Sequence, residues 1–375
     1  VAELVSVVLA GGGSAGHVNP LLAVADELRR RHPRIRVTVL GTAQGLEAEL
    51  VPAGGYPLVT VPRVPLPRRP TLDWFRLPGR LRSAVRTAER TIRDTDAQVV
   101  VGFGGYVATP AYLAARRTRT PVVIHEQNAR PGLANRLGAR WASAVAVTFP
   151  GTRLRRAQVT GLPLRPQIAE LLAAREADAG AARRAAAVAM GLDPDATTLL
   201  VTGGSLGALS VNTALAAAAP DLVAAGVQVL HLTGAGKDKA VRDAVDGLPG
   251  YHVLAYLEQM HLGLAVADVV LCRAGAGTVS ELAALGIPAV YVPLPIGNGE
   301  QRLNALPVVA AGGGLLAPDA DLSPAWLREH LVPLLADAGR RAAMAQAARA
   351  VGVPDGAARV ADLVERAAGG AGAIG

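Results

Sequence analysis

At 375 residues the chain exceeds the roughly 250–300 at which a single core stops growing, so two domains are expected, each long enough for a full core. Hydrophobic content of 51% against 18% charge describes a globular chain, and no apolar run reaches the ~18 residues needed to span a bilayer. A single cysteine, Cys272, excludes a disulfide framework and a cysteine zinc site, fits a reducing cytoplasm and reads as a buried strand residue. The net charge of +8 points to an anionic partner, whether nucleotide, nucleic acid or membrane surface, although lysine occurs only at Lys237 and Lys239 among 38 basic residues. Aromatics, at 3%, are too few for base-stacking platforms, so nucleic acid is not an expected partner.

In chain order, Leu4–Ala10 reads as a near-continuous apolar strand, Gly11–Gly16 as a flexible turn, and Leu21, Val24, Ala25 and Leu28 as one face of a helix. The strand runs straight into the glycine turn, so no signal peptide is expected. Further strands are expected at Val37–Leu40, Leu58–Val61, Gln98–Gly102, Val122–His125 and Ala144–Thr148, with helices between them. A second series runs through Thr198–Thr202, Val227–Leu232, Tyr251–Ala255, Asp268–Cys272 and Ala289–Val292. Such alternation makes a doubly wound parallel sheet in each half. The Pro/Gly-rich crossing Gly161–Pro166 marks the boundary. Open α/β sheets bind ligands beyond the carboxyl ends of their strands, so the glycine loops of both halves should face a shared cleft.

Those loops are GGGSAGHVNP from Gly11, GFGGYVATP from Gly102 and GGSLGALS from Gly203. Each follows an apolar strand and precedes a helix, where free N–H groups and the helix dipole favour an anion. Singly, each also reads as a tight turn. None matches the P-loop pattern, and the first lacks the spacing of a dehydrogenase fingerprint. A fourth junction, RAGAGTVSELAALGIPAVYVPLPIGNGEQRLNA from Arg273 to Ala305, has the same form. In it Glu281 reads either as a carboxylate for a ribose diol or, with Thr278, as a capping box closing an ordinary helix.

These loops, with IHEQNARPGLANR, resemble the MurG family in order and spacing over essentially the whole chain, and PLPIGNGEQRLNA is similar to its actinobacterial branch. The resemblance implies an α/β GT-B fold, two Rossmann-like domains facing a cleft. Acceptor binding falls to an N-terminal domain (1–163, completed by a C-terminal helix at about 353–370), and UDP-GlcNAc to residues 164–352. It implies inverting transfer of N-acetylglucosamine from UDP-GlcNAc to lipid I, forming lipid II and UDP, with no cofactor and no metal.

Inverting transfer needs a base for the acceptor hydroxyl and positive potential for departing UDP. His17, at the mouth of the first loop, is the expected base, its plain alternative being a helix-start histidine bonded to backbone. Glu126 is expected to orient the acceptor or assist the base, and His125 to be structural. Asn128 resembles the family's amide that contacts the donor sugar, or forms an Asx turn. Tyr106 is an acceptor-side candidate. On the donor side the resemblance implies backbone contacts from Ser14, Ala15 and Gly16, a diphosphate contact from Arg165, phosphate contacts from Ser205, and uracil recognition by the backbone of Leu257. It also implies a phosphate and ribose cradle at Ala276, Gly277, Thr278, Val279, Ser280 and Glu281, and recognition of the sugar hydroxyls by Glu300 and Gln301. The chain departs from the family pattern at Leu206, Leu162, Ala15 and Glu300.

From residue 63 to 93, Leu72, Trp74, Phe75, Leu77 and Leu81 interleave with Arg68, Arg69, Arg76, Arg80 and Arg82. This mix suits a segment resting on the cytoplasmic face of an anionic membrane, and equally a helix packing its apolar side on the domain with arginines in water. Arg341–Val351 and Ala357–Ala368 read as alanine-rich helices. Cell-wall synthesis and division proteins are further partners consistent with the resemblance. The alternatives are a related transferase with another lipid or natural-product acceptor, a sugar-nucleotide epimerase, and a non-catalytic sugar-nucleotide-binding scaffold.

Overall fold

The computed structural model describes residues 3–63, 73–204 and 207–370, the side chains of 73–76 excepted. They fall into two compact units, one within Val1–Arg165 and Asp355–Gly375, the other Pro166–Pro354. The crossing therefore lies at Arg165 rather than at 163, and residues 353–354 stay with the second unit. Packing explains the shift: a Cβ at Gly356 would stand 2.4 Å from the carbonyl oxygen of Leu162, so the crossing and the returning helix form one close junction. Leu162 is 4% exposed, an apolar packing residue.

The first unit carries β1 (Ser6–Ala10), β2 (Arg36–Gly41), β3 (Leu58–Thr60), β4 (Val99–Gly102), β5 (Val122–Glu126), β6 (Ala144–Val147) and β7 (Ala157–Val159). They pair in parallel in the order β3-β2-β1-β4-β5-β6-β7. The second carries β8 (Thr198–Thr202), β9 (Gln228–Leu232), β10 (Tyr251–Leu254), β11 (Val269–Cys272), β12 (Ala289–Tyr291) and β13 (Gly314–Leu316). Their order is β10-β9-β8-β11-β12-β13, again parallel. The central strands are buried on both faces, which is why they read as unbroken Val/Leu runs rather than alternating ones. Strands β7 and β13, of three residues each, are too short to show a period in the sequence.

Both sheets reverse winding direction in the middle. In the first, β1 neighbours β2 on one side and β4 on the other; in the second, β8 neighbours β9 and β11. Chains leaving adjacent strands in opposite directions leave a crevice at the strand ends, where open α/β sheets place ligands. The glycine loops follow these strands: Gly11 and the loop after Gly102 at one switch point, Gly203 and the turn after Cys272 at the other.

Helix Ala15–Arg31 buries Val18, Leu21, Val24, Ala25 and Leu28 along one stripe, in the same core as Val360, Leu363 and Val364 of the returning helix Gly356–Gly370. Arg31 holds that helix through Asp362 (2.6 Å) and the Ala358 carbonyl (3.0 Å), and His32 meets Glu365 at 3.0 Å. In helix Asp73–Asp94, Ala84, Val85, Ala88 and Ile92 are buried, Leu77 and Leu81 pack beside them, and Arg82, Arg86, Arg90 and Arg93 are exposed. From residue 77 onward the helix thus lays its apolar side on the domain. Arg68, Arg69, Leu72 and the side chains of Trp74, Phe75 and Arg76 lie outside the described residues. No described helix is long and apolar enough to cross a membrane.

Tyr112 shows how tightly the ends of β4 and β5 are packed. Its ring is fully buried, and a Cβ at Gly102 would lie 2.1 Å from it, one at Gly138 2.6 Å. Gly102→Ala is therefore expected to cost the first unit about 1–3 kcal/mol, as core overpacking does. Denaturant titration against the parent protein checks this; an unchanged midpoint would contradict the packing.

Candidate active site

In the first unit the loop after β1 leads into a helix whose start no described side chain caps. Ser14 is the N-cap of helix Ala15–Arg31 in an extended conformation, its hydroxyl makes no capping bond, and no acidic residue stands in the first turn. The N–H groups of His17 and Val18 return to the Ser14 carbonyl at 3.0 and 3.1 Å, so the amides of Ala15 and Gly16 face outward with the positive helix end. Ser14, Ala15 and Gly16 are all exposed. Ala15 is the first helical residue, and the extra methyl costs nothing in a right-handed conformation.

The loop is fixed from behind by Glu47, a residue the sequence analysis passed over. Its fully buried carboxylate accepts from Gly13 N (2.8 Å), Thr42 N (2.9 Å) and Thr42 Oγ1 (2.6 Å). Burial alone would raise its pKa, but these donors together hold it below the usual 4.5. Gly13 has φ +89° and Gly105 φ +77°, and a Cβ at Gly105 would stand 2.5 Å from the Gly12 carbonyl oxygen. Only glycine lets the loops after β1 and β4 touch. Tyr106, next in the second loop, is 41% exposed, with the Arg63 guanidinium 4.8 Å from its ring centre.

His17 is half-buried beside these loops, and its Nδ1 lies 3.0 Å from Oε1 of Gln127. This corrects the expectation that Glu126 assists the base. The Glu126 carboxylate turns the other way and accepts from Asn128 N (3.0 Å), Gly132 N (3.0 Å) and Asn135 Nδ2 (2.9 Å), which makes it the clasp of the 127–132 loop. Asn135 in turn accepts from the Tyr112 hydroxyl at 2.7 Å. Asn128, half-buried, sits on that clasped loop. His125 is structural: it is fully buried, its Nε2 bonds the Gly161 carbonyl at 3.0 Å, and burial pulls its pKa down to about 4. Gln127 and Asn135 stand inside a motif the sequence analysis quoted, but only strand direction and loop geometry distinguish them from Glu126 and Asn128.

In the second unit helix Ala276–Leu285 begins two residues before Thr278, with extended Gly275 as its N-cap. The capping-box reading of Thr278 and Glu281 therefore fails: Thr278 lies in the first turn and Glu281 in the second. No side chain caps this end, no acid occupies the first turn, and a Cβ at Gly275 or Gly277 would meet nothing within 4 Å. The amides of Ala276, Gly277 and Thr278 stand at the positive end of the helix, an arrangement that favours an anion. Val279 does not belong to it, since its N–H is spent on the Gly275 carbonyl (3.0 Å) and its side chain is fully buried. Ser280 and Glu281 are half-buried on the second turn.

Arg273 braces this junction from behind. It donates to the carbonyls of Val292 (3.1 Å) and Pro293 (3.3 Å), to Ser210 Oγ (3.1 Å) and to Asp319, which also accepts from Ser210 at 2.7 Å. Buried Asn304 reaches the Ala274 carbonyl at 3.3 Å. Gln301 accepts from Leu294 N at 2.9 Å, which turns its NH₂ away from that loop. Glu300 opens helix Glu300–Ala310, its N–H bonded to Asn298 Oδ1 at 3.1 Å; a carboxylate is favoured at that position by the helix dipole. Leu257 packs its side chain on Gly263, where a Cβ would stand 3.0 Å away. Arg165 is half-buried at the end of the first unit. Ser205 and Leu206 lie outside the described residues. Among those described, no group of three or more His, Cys, Asp or Glu side chains is placed to hold a metal ion.

Two parallel sheets with glycine loops at their switch points and bare helix starts are the architecture of GT-B glycosyltransferases, and the comparisons place the chain among them. The models of the glycosyltransferase family 28 N-terminal and C-terminal domains match residues 7–147 and 198–360. A protein of Paenarthrobacter aurescens named UDP-N-acetylglucosamine–N-acetylmuramyl-(pentapeptide) pyrophosphoryl-undecaprenol N-acetylglucosamine transferase is 55% identical, over 96% of this chain and 95% of its own. The crystal structure of Acinetobacter baumannii MurG is 30% identical with a TM-score of 0.76, over 96% of this chain and 99% of that one. A UDP-GlcNAc 2-epimerase from Neisseria meningitidis shares the fold alone, at 15% identity and a TM-score of 0.67 over 97% of this chain and all of its own. The chain belongs to the MurG family of glycosyltransferases.

The Glu47 clasp has a signed pH consequence. Its depressed pKa means that its stabilisation is complete above the ordinary carboxylate value and is lost as pH falls through the folded value. Glu47→Gln should therefore cost about 1–3 kcal/mol at neutral pH, with the gap to the parent protein closing as pH falls from the ordinary carboxylate value through the lower folded one. Paired denaturant titrations at several pH values test this; a gap that widens in acid would refute the assignment.

Proposed function

We propose that the protein transfers N-acetylglucosamine from UDP-GlcNAc to the muramyl C4 hydroxyl of lipid I, forming lipid II and UDP. The observation carrying this reading is 55% identity, over nearly the full length of both chains, to a transferase of that name. The site chemistry supports it. His17 Nε2 takes the proton of the C4 hydroxyl as its oxygen bonds to the anomeric carbon. The bond from that carbon to the diphosphate breaks with its electron pair going to UDP, and the configuration inverts. No covalent intermediate and no metal are required: the amides at Ala276, Gly277 and Thr278, with Arg165, take up the charge of the departing diphosphate. Glu281 accepts from the ribose hydroxyls, the backbone at Leu257 reads uracil, and Gln301 beside Glu300 reads the sugar.

The acceptor hangs from a membrane lipid, which favours work at the cytoplasmic face of the membrane. The 63–93 segment is the proposed contact, its arginines on the exposed side from residue 77 onward.

Labelled UDP-GlcNAc with a lipid I analogue should give labelled lipid II, and without acceptor no sugar should be released. Free UDP or an epimerised sugar in the acceptor-free reaction would overturn the reading. His17→Ala is expected to lower turnover about 10²–10⁴-fold, the usual worth of a general base, with donor affinity held within a few-fold. Equal loss of both would remove His17 from the role of base.

A further inference from the structure

The amide of Gln127 lies between two histidines, and its orientation is fixed by a group that can only accept. Gln127 Nε2 stands 3.1 Å from the backbone carbonyl of His125. A carbonyl oxygen has no proton to give, so the NH₂ end of the amide must face it. The same NH₂ lies 3.2 Å from His125 Nδ1. His125 Nε2 donates to the Gly161 carbonyl at 3.0 Å, so a neutral His125 carries its proton on Nε2 and offers a lone pair at Nδ1. Both contacts give the amide one orientation, with Oε1 directed at His17 Nδ1, 3.0 Å away. An amide oxygen also only accepts. His17 must therefore hold its proton on Nδ1, which leaves the lone pair on Nε2.

We propose that Gln127 is a positioning residue that sets the tautomer of His17, so that Nε2 presents a lone pair to the acceptor hydroxyl whenever the ring is neutral. The inference rests on His17 being the general base. A neutral imidazole has one lone pair, and if the proton sat on Nε2 the nitrogen facing the substrate would have no capacity to accept. Ring placement is fixed as well: a Cβ at Gly104 would lie 3.3 Å from His17 Cε1, so the glycine loop forms a wall against which the imidazole rests. The relay continues to Gly161, the glycine with φ +75° at the crossing, so the backbone there supplies the last acceptor of the series. Glu126, next in sequence, has its carboxylate committed to Asn128, Gly132 and Asn135 and takes no part.

The test is ¹⁵N NMR of the histidine-labelled full-length protein, with His17 assigned by difference against His17→Ala. In the neutral form His17 should show a protonated, pyrrole-type Nδ1 and an unprotonated, pyridine-type Nε2. Gln127→Met keeps the length of the side chain and removes the acceptor; it should abolish that signature and lower kcat at least ~10-fold, with the KM for UDP-GlcNAc within twofold. In Gln127→Glu the second oxygen meets the His125 carbonyl and Nδ1, two acceptors, so the variant keeps the geometry as the carboxylic acid, donating there and accepting from His17 Nδ1; in that form it should recover the signature. A pyridine-type Nδ1 in the parent protein, or a Met variant whose tautomer is unchanged, overturns the inference. Failure of the underlying reading looks different: His17→Ala would retain turnover while the parent protein still showed the Nδ1–H tautomer. UDP binding, measured on every variant, separates misfolding from loss of the tautomer, and the Glu variant keeps the question decidable should the Met variant fold poorly.

Discussion

Everything in the two units follows from one constraint on parallel sheets. A right-handed crossover must leave each strand toward one side or the other, and where the direction reverses, two neighbouring strand ends are left uncovered. Here those pairs are β1 with β4 and β8 with β11. Each opening is bounded by backbone, and the helices that start there have no side-chain cap and no acid in their first turns. A helix start without a cap holds unpaired N–H groups that cost free energy unless water or a ligand meets them. No described side chain caps either start, and on the proposed reading these are the donors that a sugar diphosphate meets.

Much of this was legible in the sequence, for a physical reason. Glycine loops after Val-rich strands report backbone demands that only a few residue types satisfy, so the loops at Gly11, Gly102, Gly203 and Ala274 stand out locally. The parallel sheets followed from alternation, and the family from IHEQN and the long block after Arg273. What was not legible depends on residues distant in sequence. Glu47 is 34 positions from the Gly13 amide it holds, and Asp319 is 46 from Arg273. The capping-box alternative at Thr278 could be dismissed only once extended Gly275 moved the helix start back to Ala276. The three-residue strands β7 and β13 carry no periodicity to read.

The neighbours Glu126 and Gln127 show a finer limit. Both end up buried at the end of β5, yet their side chains serve different neighbours: the carboxylate clasps the loop that follows, the amide meets His17. Along a strand successive side chains leave opposite faces, so which of two adjacent polar residues meets a partner is set by the register of the sheet. Chemistry alone favoured the carboxylate as the companion of a base. The structure puts a neutral amide there: its NH₂ donates to the His125 carbonyl and Nδ1, where a carboxylate would set acceptor against acceptor, and its oxygen is left facing His17.

The two units also solve one support problem with opposite charges. A loop kept free of large side chains has little packing of its own, so it must be held from behind. In the first unit the buried carboxylate of Glu47 does this by accepting from the loop amide at Gly13 and from Thr42. In the second the guanidinium of Arg273 does it by donating to the carbonyls after β12, its charge met by Asp319. Either way the supporting group spends its hydrogen bonds on the far side of the loop, and the amides at Ala15 and Gly16, or at Ala276, Gly277 and Thr278, stay free. On the proposed reading, attraction for the diphosphate comes chiefly from fixed backbone dipoles. Dipoles held by a rigid fold need little reorganisation as charge moves onto the leaving diphosphate, which is the property a transferase without a covalent intermediate relies on.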